Sequence, residues 1–212
     1  MEENRKDLMQ ETEDRTVQVD IRSGSRVVDE MMSDVFVFVL VSWLVFISAF
    51  VDYGDGAGLT LGVLKLSLVG MFFMGARERM KVDSVWGNTN MCFVFLFGVF
   101  GGVTDILGSL GITLNPIIMS IPNIYLGALM VVCIGALRKN PWSFFVMWIF
   151  AAIGVLALGL AGIGVMPGFL TLVGKVLLGG VAVIGNWALI VLIHGYTGTG
   201  KKLSLGKPWF TE

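Results

Sequence analysis

The sequence predicts an all-α integral membrane protein, a bundle of six transmembrane helices with both termini cytoplasmic. Three observations predict it. Hydrophobic residues make up 55% of the 212-residue chain and charged residues only 15%, where a soluble domain carries about a quarter, and the mean hydropathy is +0.81. The charges are crowded, with fifteen of the thirty-one in residues 1–34. The remainder breaks into apolar runs of membrane-spanning length, and its Lys and Arg fall on alternate connections. This composition excludes an ordinary water-soluble enzyme, a disulfide-rich secreted domain and a nucleic-acid binder. A net charge of −1 implies no polyanionic partner.

A hydrocarbon core of about 30 Å needs roughly 20 apolar residues of helix. Six stretches qualify: 35–52, 57–76, 90–110, 122–137, 141–163 and 169–194. The first is not a cleaved signal peptide, because a mixed-charge segment precedes it and no small-residue cleavage site follows. The fourth opens at Pro122, a residue suited to a first helical turn. Between the runs lie a tight turn at Asp52-Tyr53-Gly54-Asp55-Gly56, a basic loop from Arg77 to Trp86 and a longer uncharged loop from Gly111 to Pro122. Two further turns follow at Arg138-Lys139-Asn140-Pro141 and Met166-Pro167-Gly168. The expected organisation is a polar cytoplasmic tail over 1–34, a membrane domain over 35–196 and a second cytoplasmic tail over 197–212. Composition marks the first half of the N-terminal tail as disordered. Val27, Val28, Met31 and Met32 recur at helical spacing, which fits either a short interfacial helix or a plain linker.

With six spans, thirteen of the fifteen Lys and Arg lie on the side of the two termini. The opposite side has none, only Asp52 and Asp55. The positive-inside rule makes the basic side cytoplasmic and the protein a multi-pass component of the cell membrane. The other two cations, Lys65 and Lys175, fall inside spans.

Glycine numbers 28, much of it within the spans. Gly98 and Gly102, with Gly101 between them, Ala157 and Ala161, and the run Gly174, Gly179, Gly180 and Gly185 all have small-residue spacing. In lipid the attraction between helices comes from close backbone approach, so these residues point first to tight packing, and otherwise to a narrow pore or a subunit interface.

A charge at the bilayer centre costs roughly 2.5–3.5 kcal/mol on insertion scales, so the intramembrane ionisable residues need an account. Lys65 either snorkels outward, attracts an anion in a pore, or pairs with Asp105. Lys175 lies at a matching depth, so a triad of Lys65, Asp105 and Lys175 is geometrically allowed. Asn186, mid-way along the last span, needs a hydrogen-bond partner from a helix or a permeant. Phe93, Phe95, Phe97 and Phe100 crowd the third span, where they either face lipid and neighbours or narrow a pore. The single histidine, His194, sits at the end of the sixth span and reads as inert.

Catalytic signatures fail. Gly195 to Lys201 resembles the start of a phosphate-binding loop, but Lys202 follows where Ser or Thr is required and no strand precedes it. No zinc-protease, nucleophile-elbow or Cys/His pattern is present, and Cys92 and Cys133 both lie in apolar runs. No catalytic residue, metal or cofactor is expected.

Several short segments carry a family resemblance. After the second span come Gly75-Ala76-Arg77-Glu78 and then Gly87-Asn88-Thr89. Tyr125-Leu126-Gly127 and Gly135-Ala136-Leu137-Arg138 precede a long helix rich in small residues, and Leu203-Ser204-Leu205-Gly206-Lys207-Pro208 stands near the end. This order resembles the acetate uptake transporter family, the succinate–acetate permeases, over about residues 35–210. That family has a Gly-x-x-Glu ending its second helix, then Gly-Asn-Thr-Phe, and a Leu-Pro-Leu-Gly-type close. Here Met31 to Val39 stands in place of the family's Asn-Pro-Ala-Pro-Leu-Gly opening, Met71 in place of a Gln, and Asn90 in place of the Phe.

The resemblance implies a homohexamer with one path through each protomer, moving acetate or a similar small monocarboxylate, in some members succinate, with or without proton coupling. It implies hydrophobic constrictions, at Phe97 beside Gly98 and at Phe38, and Gly75, Glu78 and Gly87 as structural motif residues. Asn88, Thr89, Asn186 and Lys65 are the expected pathway residues, and the partners are a small carboxylate anion and the lipid bilayer. The alternatives are a non-transporting sensor or scaffold, and a channel for another small solute such as ammonia or urea.

Overall fold

The computed structural model describes residues 32–112, 114–197 and 203–208, apart from the side chains of 195–197. The described residues form helices and connections, with no strand among them. We number the helices α1 (Met32–Ile47), α2 (Ala57–Met80), α3 (Ser84–Ser109), α4 (Pro116–Leu137), α5 (Trp142–Gly162) and α6 (Pro167–Thr197). Five of them, α2 to α6, are long and apolar enough to cross a membrane. By length and composition this is a multi-pass integral membrane protein. α1 is apolar but shorter, at roughly 24 Å for a 1.5 Å rise per residue.

Several boundaries differ from those read off hydropathy. α1 is already helical at Met32, so Asp34 belongs to the bundle and not to the tail. The segment before it, which fits a short interfacial helix or a plain linker, lies outside the described residues up to Met31, as does the disorder expected over the first half of the tail. α2 runs on to Met80 and takes Arg77, Glu78 and Arg79 out of the expected loop. α4 starts at Pro116, with the Asn115 side chain accepting from the Ile117 and Ile118 backbone N–H groups at 3.0 and 3.2 Å. Asparagine at the cap and proline at the first position is a favourable helix start. Pro122 therefore lies inside the helix and does not open it. α6 runs through Thr197, so Gly195 to Thr197 continue a helix and form no phosphate-binding turn.

α2 packs on α3, α4 on α5 and α5 on α6. Small residues set these approaches. A Cβ on Gly62 would lie 2.6 Å from the Gly102 carbonyl oxygen, and one on Gly102 would lie 3.0 Å from that of Gly62. α5 and α6 make the same reciprocal contact through Gly154 and Gly174, and Gly127 lets α4 reach the backbone of Leu156 on α5. The Trp148 indole N–H of α5 donates to the Met130 carbonyl at 2.9 Å, just before α4 tightens into a 3-10 turn over Cys133–Leu137. A larger residue at these glycines would separate backbones whose contact holds the bundle together in lipid.

One end of the bundle gathers the α2–α3 and α4–α5 turns and the segment 203–208. Asn140 donates to Asp83 at 3.0 Å, and Asp83 also caps α3 by accepting from the Trp86 N–H at 3.0 Å. The Ser143 hydroxyl donates to the Leu205 carbonyl at 2.8 Å. Gly206 (φ 90°) lies so close over Trp142 that no side chain fits. Arg77, Arg79, Lys81, Arg138 and Lys139 belong to this end, which we call the basic end. At the opposite end, carbonyls near the end of α1 are taken by side chains. Lys175 donates to the Ser48 carbonyl, just past α1, at 2.9 Å, and the Tyr53 hydroxyl to that of Leu44, which also accepts from the Ser48 N–H, at 2.5 Å.

Candidate functional site

A cavity of about 60 Å³ lies between α1, α2, α3, α5 and α6, with room for a few water molecules. Its wall is almost wholly apolar. Phe38 comes from α1, Phe72 from α2, Phe93 and Phe97 from α3, and Val155, Leu158 and Leu178 from α5 and α6. The only polar side chains on it are Ser42 and Lys65.

Part of the aromatic wall comes from irregular helix. α3 widens into a π-helical stretch over Val94–Phe100. Such bulges occur frequently at functional sites, because the wider turn re-aims side chains. Phe97 lies within it and Phe93 immediately before. Their rings stack with centroids 5.1 Å apart, and Phe93 also meets Phe38 at 5.1 Å. Phe95 and Phe100 of the same stretch are exposed on the outside of the bundle. The four phenylalanines of the third span therefore divide into an inward pair and an outward pair.

Lys65 reaches Asp105 across the α2–α3 interface, its Nζ 2.6 Å from Oδ2. The lysine neither snorkels away alone nor stands as a free cation. It lines the cavity while paired, and both side chains keep partial exposure. Of the pair and the triad that the depths allow, the pair forms, and Lys175 is bound instead to the Ser48 carbonyl at the end of α1.

Phe38, Phe97 and Lys65 thus share one cavity, and Asn88, Thr89 and Asn186 do not line it. Asn88 is exposed and returns its amide to the Ser84 carbonyl at 2.7 Å, and Thr89 donates to that of Val85 at 2.8 Å. Asn186 is half-buried on α6. The motif residues Gly75 and Gly87 act in packing. A Cβ on Gly75 would lie 2.5 Å from the Asp34 backbone nitrogen, and Gly87 abuts the backbone of Met80. Glu78 is buried and pairs with Lys81.

A second polar constellation, absent from the sequence-based expectations, lies toward the basic end. Asp34 of α1 is fully buried. Arg79 of α2 donates to it from Nε at 2.5 Å and from Nη2 at 2.9 Å, and Asn90 of α3 donates from Nδ2 at 2.6 Å. The Arg79 guanidinium also lies 5.5 Å from the ring centroids of Trp86 and Phe144. Four helices therefore meet at one fork-on-carboxylate pair, a geometry specific to arginine. Arg79 hid in what read as a basic loop, Asp34 in what read as a tail, and Asn90 stood where the family motif has Phe. The available signal was an acidic residue at the mouth of an otherwise uncharged span, which needs a buried partner.

No family model, curated protein or solved structure matches this chain.

Proposed function

We propose that this protein is a six-span membrane channel or transporter for acetate or a similar small monocarboxylate. The observation that carries the reading is the cavity inside the bundle, with phenylalanines on its wall and one cation, Lys65, at its edge. A small carboxylic acid has an apolar body and one polar group. The phenyl wall suits the body and excludes large or strongly hydrated ions. Lys65 suits the carboxylate and concentrates anions at the mouth it lines, its charge balanced by Asp105 in the unloaded state.

The motif resemblance supports the same substrate class, including succinate for some members, and a homohexameric assembly with one passage per protomer. In this reading the shorter helix α1, followed by the turn Ser48-Ala49-Phe50 and by Val51, makes the sixth crossing. With six crossings the basic end faces the cytoplasm, as the positive-inside rule requires, and both termini lie there. The protein then resides in the cell membrane.

The test is uptake of labelled acetate by proteoliposomes of the purified chain, with a swelling series over C1 to C4 carboxylates. Acetate flux above empty liposomes, falling with chain length, is expected. Flux equal to that of empty liposomes would overturn transport in favour of a scaffold, and flux of ammonia or urea unaffected by acetate would overturn the substrate class.

A further inference from the structure

We propose that Arg79 is a carboxylate-binding residue on the passage, and that the chain's own Asp34 occupies it in this structure as a stand-in for the travelling carboxylate. The proposal rests on the transport reading above and assigns it a second anion site, distinct from Lys65. On α2 the two cations are fourteen residues apart, about 21 Å along the helix, so no small anion touches both at once.

The first ground is the shape of the receptor. Asp34 presents a carboxylate to two guanidinium N–H groups and one amide N–H, all within 2.9 Å. Nothing in that set is particular to aspartate. A planar fork and an amide donor bind any carboxylate of small girth in the same way. Arg79 is also held from another side, by the rings of Trp86 on α3 and Phe144 on α5. The cation therefore keeps its place when the carboxylate in front of it is exchanged.

The second ground is register. Asp34 lies one helical turn from Phe38 on α1, Asn90 lies three residues from Phe93 on α3, and Phe38 and Phe93 touch each other on the cavity wall. A turn of helix is about 5.4 Å. A carboxylate leaving the cavity toward the basic end meets the Asp34–Arg79–Asn90 layer next.

The third ground is charge. A buried ion pair gains little over an apolar contact of the same shape, because desolvation offsets the attraction. As a strut between α1 and α2, apolar side chains would serve as well. Exchange of one carboxylate for another leaves the buried charge at zero when the displaced Asp34, third residue of α1, turns out to water at the basic end. Asp34 then acts as the closed position of a gate, and its displacement frees the start of α1 from α2, where Gly75 lets the two backbones touch.

The experiment uses the full chain in detergent and in proteoliposomes. Asp34→Ala opens the receptor without removing Arg79. Its melting temperature should rise by at least about 3 °C in saturating sodium acetate or formate over sodium chloride of equal ionic strength, as ligand binding to the folded state requires. Wild type and Asp34→Ala/Arg79→Gln should show no such rise. In vesicles, Arg79→Gln should lower acetate flux at least tenfold, and Arg79→Lys should recover part of it with a raised KM. If Asp34→Ala cannot be purified, the near-isosteric, charge-balanced Asp34→Asn/Arg79→Gln chain replaces it, and its acetate flux should fall at least tenfold. Wild-type acetate flux together with no acetate-specific stabilisation of Asp34→Ala, or with full flux in the charge-balanced chain, overturns the proposal and leaves the transport reading intact. Absence of carboxylate flux from wild type overturns the transport reading, and the melting comparison then decides separately whether Arg79 binds a carboxylate.

Discussion

The two acid–base pairs that join different helices among the described residues differ in nearly everything but their chemistry. Asp105 and Lys65 meet near the end away from the basic turns, with side-chain exposures of 29% and 19%, through one contact between two neighbouring helices. Asp34 and Arg79 meet toward the basic end with exposures of 0% and 5%, through a two-pronged contact that Asn90 completes and two rings support. The difference teaches how burial sets the role of an ion pair. A partly exposed pair with a single contact costs little to open. A dry pair is costly to break on one side and nearly neutral to replace as a whole. The first is suited to attraction and the second to a two-position lock.

The largest effect should come from breaking the dry pair on one side. Arg79→Leu leaves the Asp34 carboxylate buried and uncompensated, and should cost about 3–5 kcal/mol of stability, read from unfolding in detergent. Asp34→Leu/Arg79→Leu should recover most of that loss while acetate flux remains at least tenfold below wild type. A double variant as unstable as the single one would show the layer to be a strut.

Next comes the wall between the two pairs. Phe97→Ala should cost at most about 3 kcal/mol, raise acetate flux and admit butyrate, as a swelling assay would show. Unchanged selectivity would remove Phe97 from the passage.

The smallest effect on stability should come from the wet pair. Lys65→Met should change stability by less than about 1 kcal/mol and yet lower acetate uptake severalfold at low salt, the gap narrowing as salt screens the wild-type charge. Equal flux at all ionic strengths would leave Lys65 a structural partner of Asp105 only.

Much of the fold was legible in the chain, because hydrocarbon thickness imposes a length on apolar runs that hydropathy reads directly. The errors fell at the ends of spans. Arg77, Glu78 and Arg79 look like loop residues to a hydropathy window. Their backbone nonetheless continues α2, because Arg79 finds its counter-ion on α1 and two aromatic rings beside it. Pro116 was the better helix start than Pro122, and Asn115 before it was the local clue. Pro122 is accommodated within α4, as prolines in membrane helices are when neighbours absorb the lost bond.

Of the candidate site, Phe38, Phe97 and Lys65 were expected residues and lie on one cavity, whereas Asn88, Thr89 and Asn186 do not. Sequence alone determined that most of this chain is apolar helix of membrane-spanning length and roughly where the connections lie, since both depend on local composition. Only the tertiary structure decided that Lys65 takes Asp105 and leaves Lys175 to Ser48, that Phe97 faces the cavity while Phe100 is exposed, and that Asp34, Arg79 and Asn90 form one buried layer. Those pairings join residues 40 to 127 positions apart. They follow from which helix faces meet, and no window along the chain contains that information.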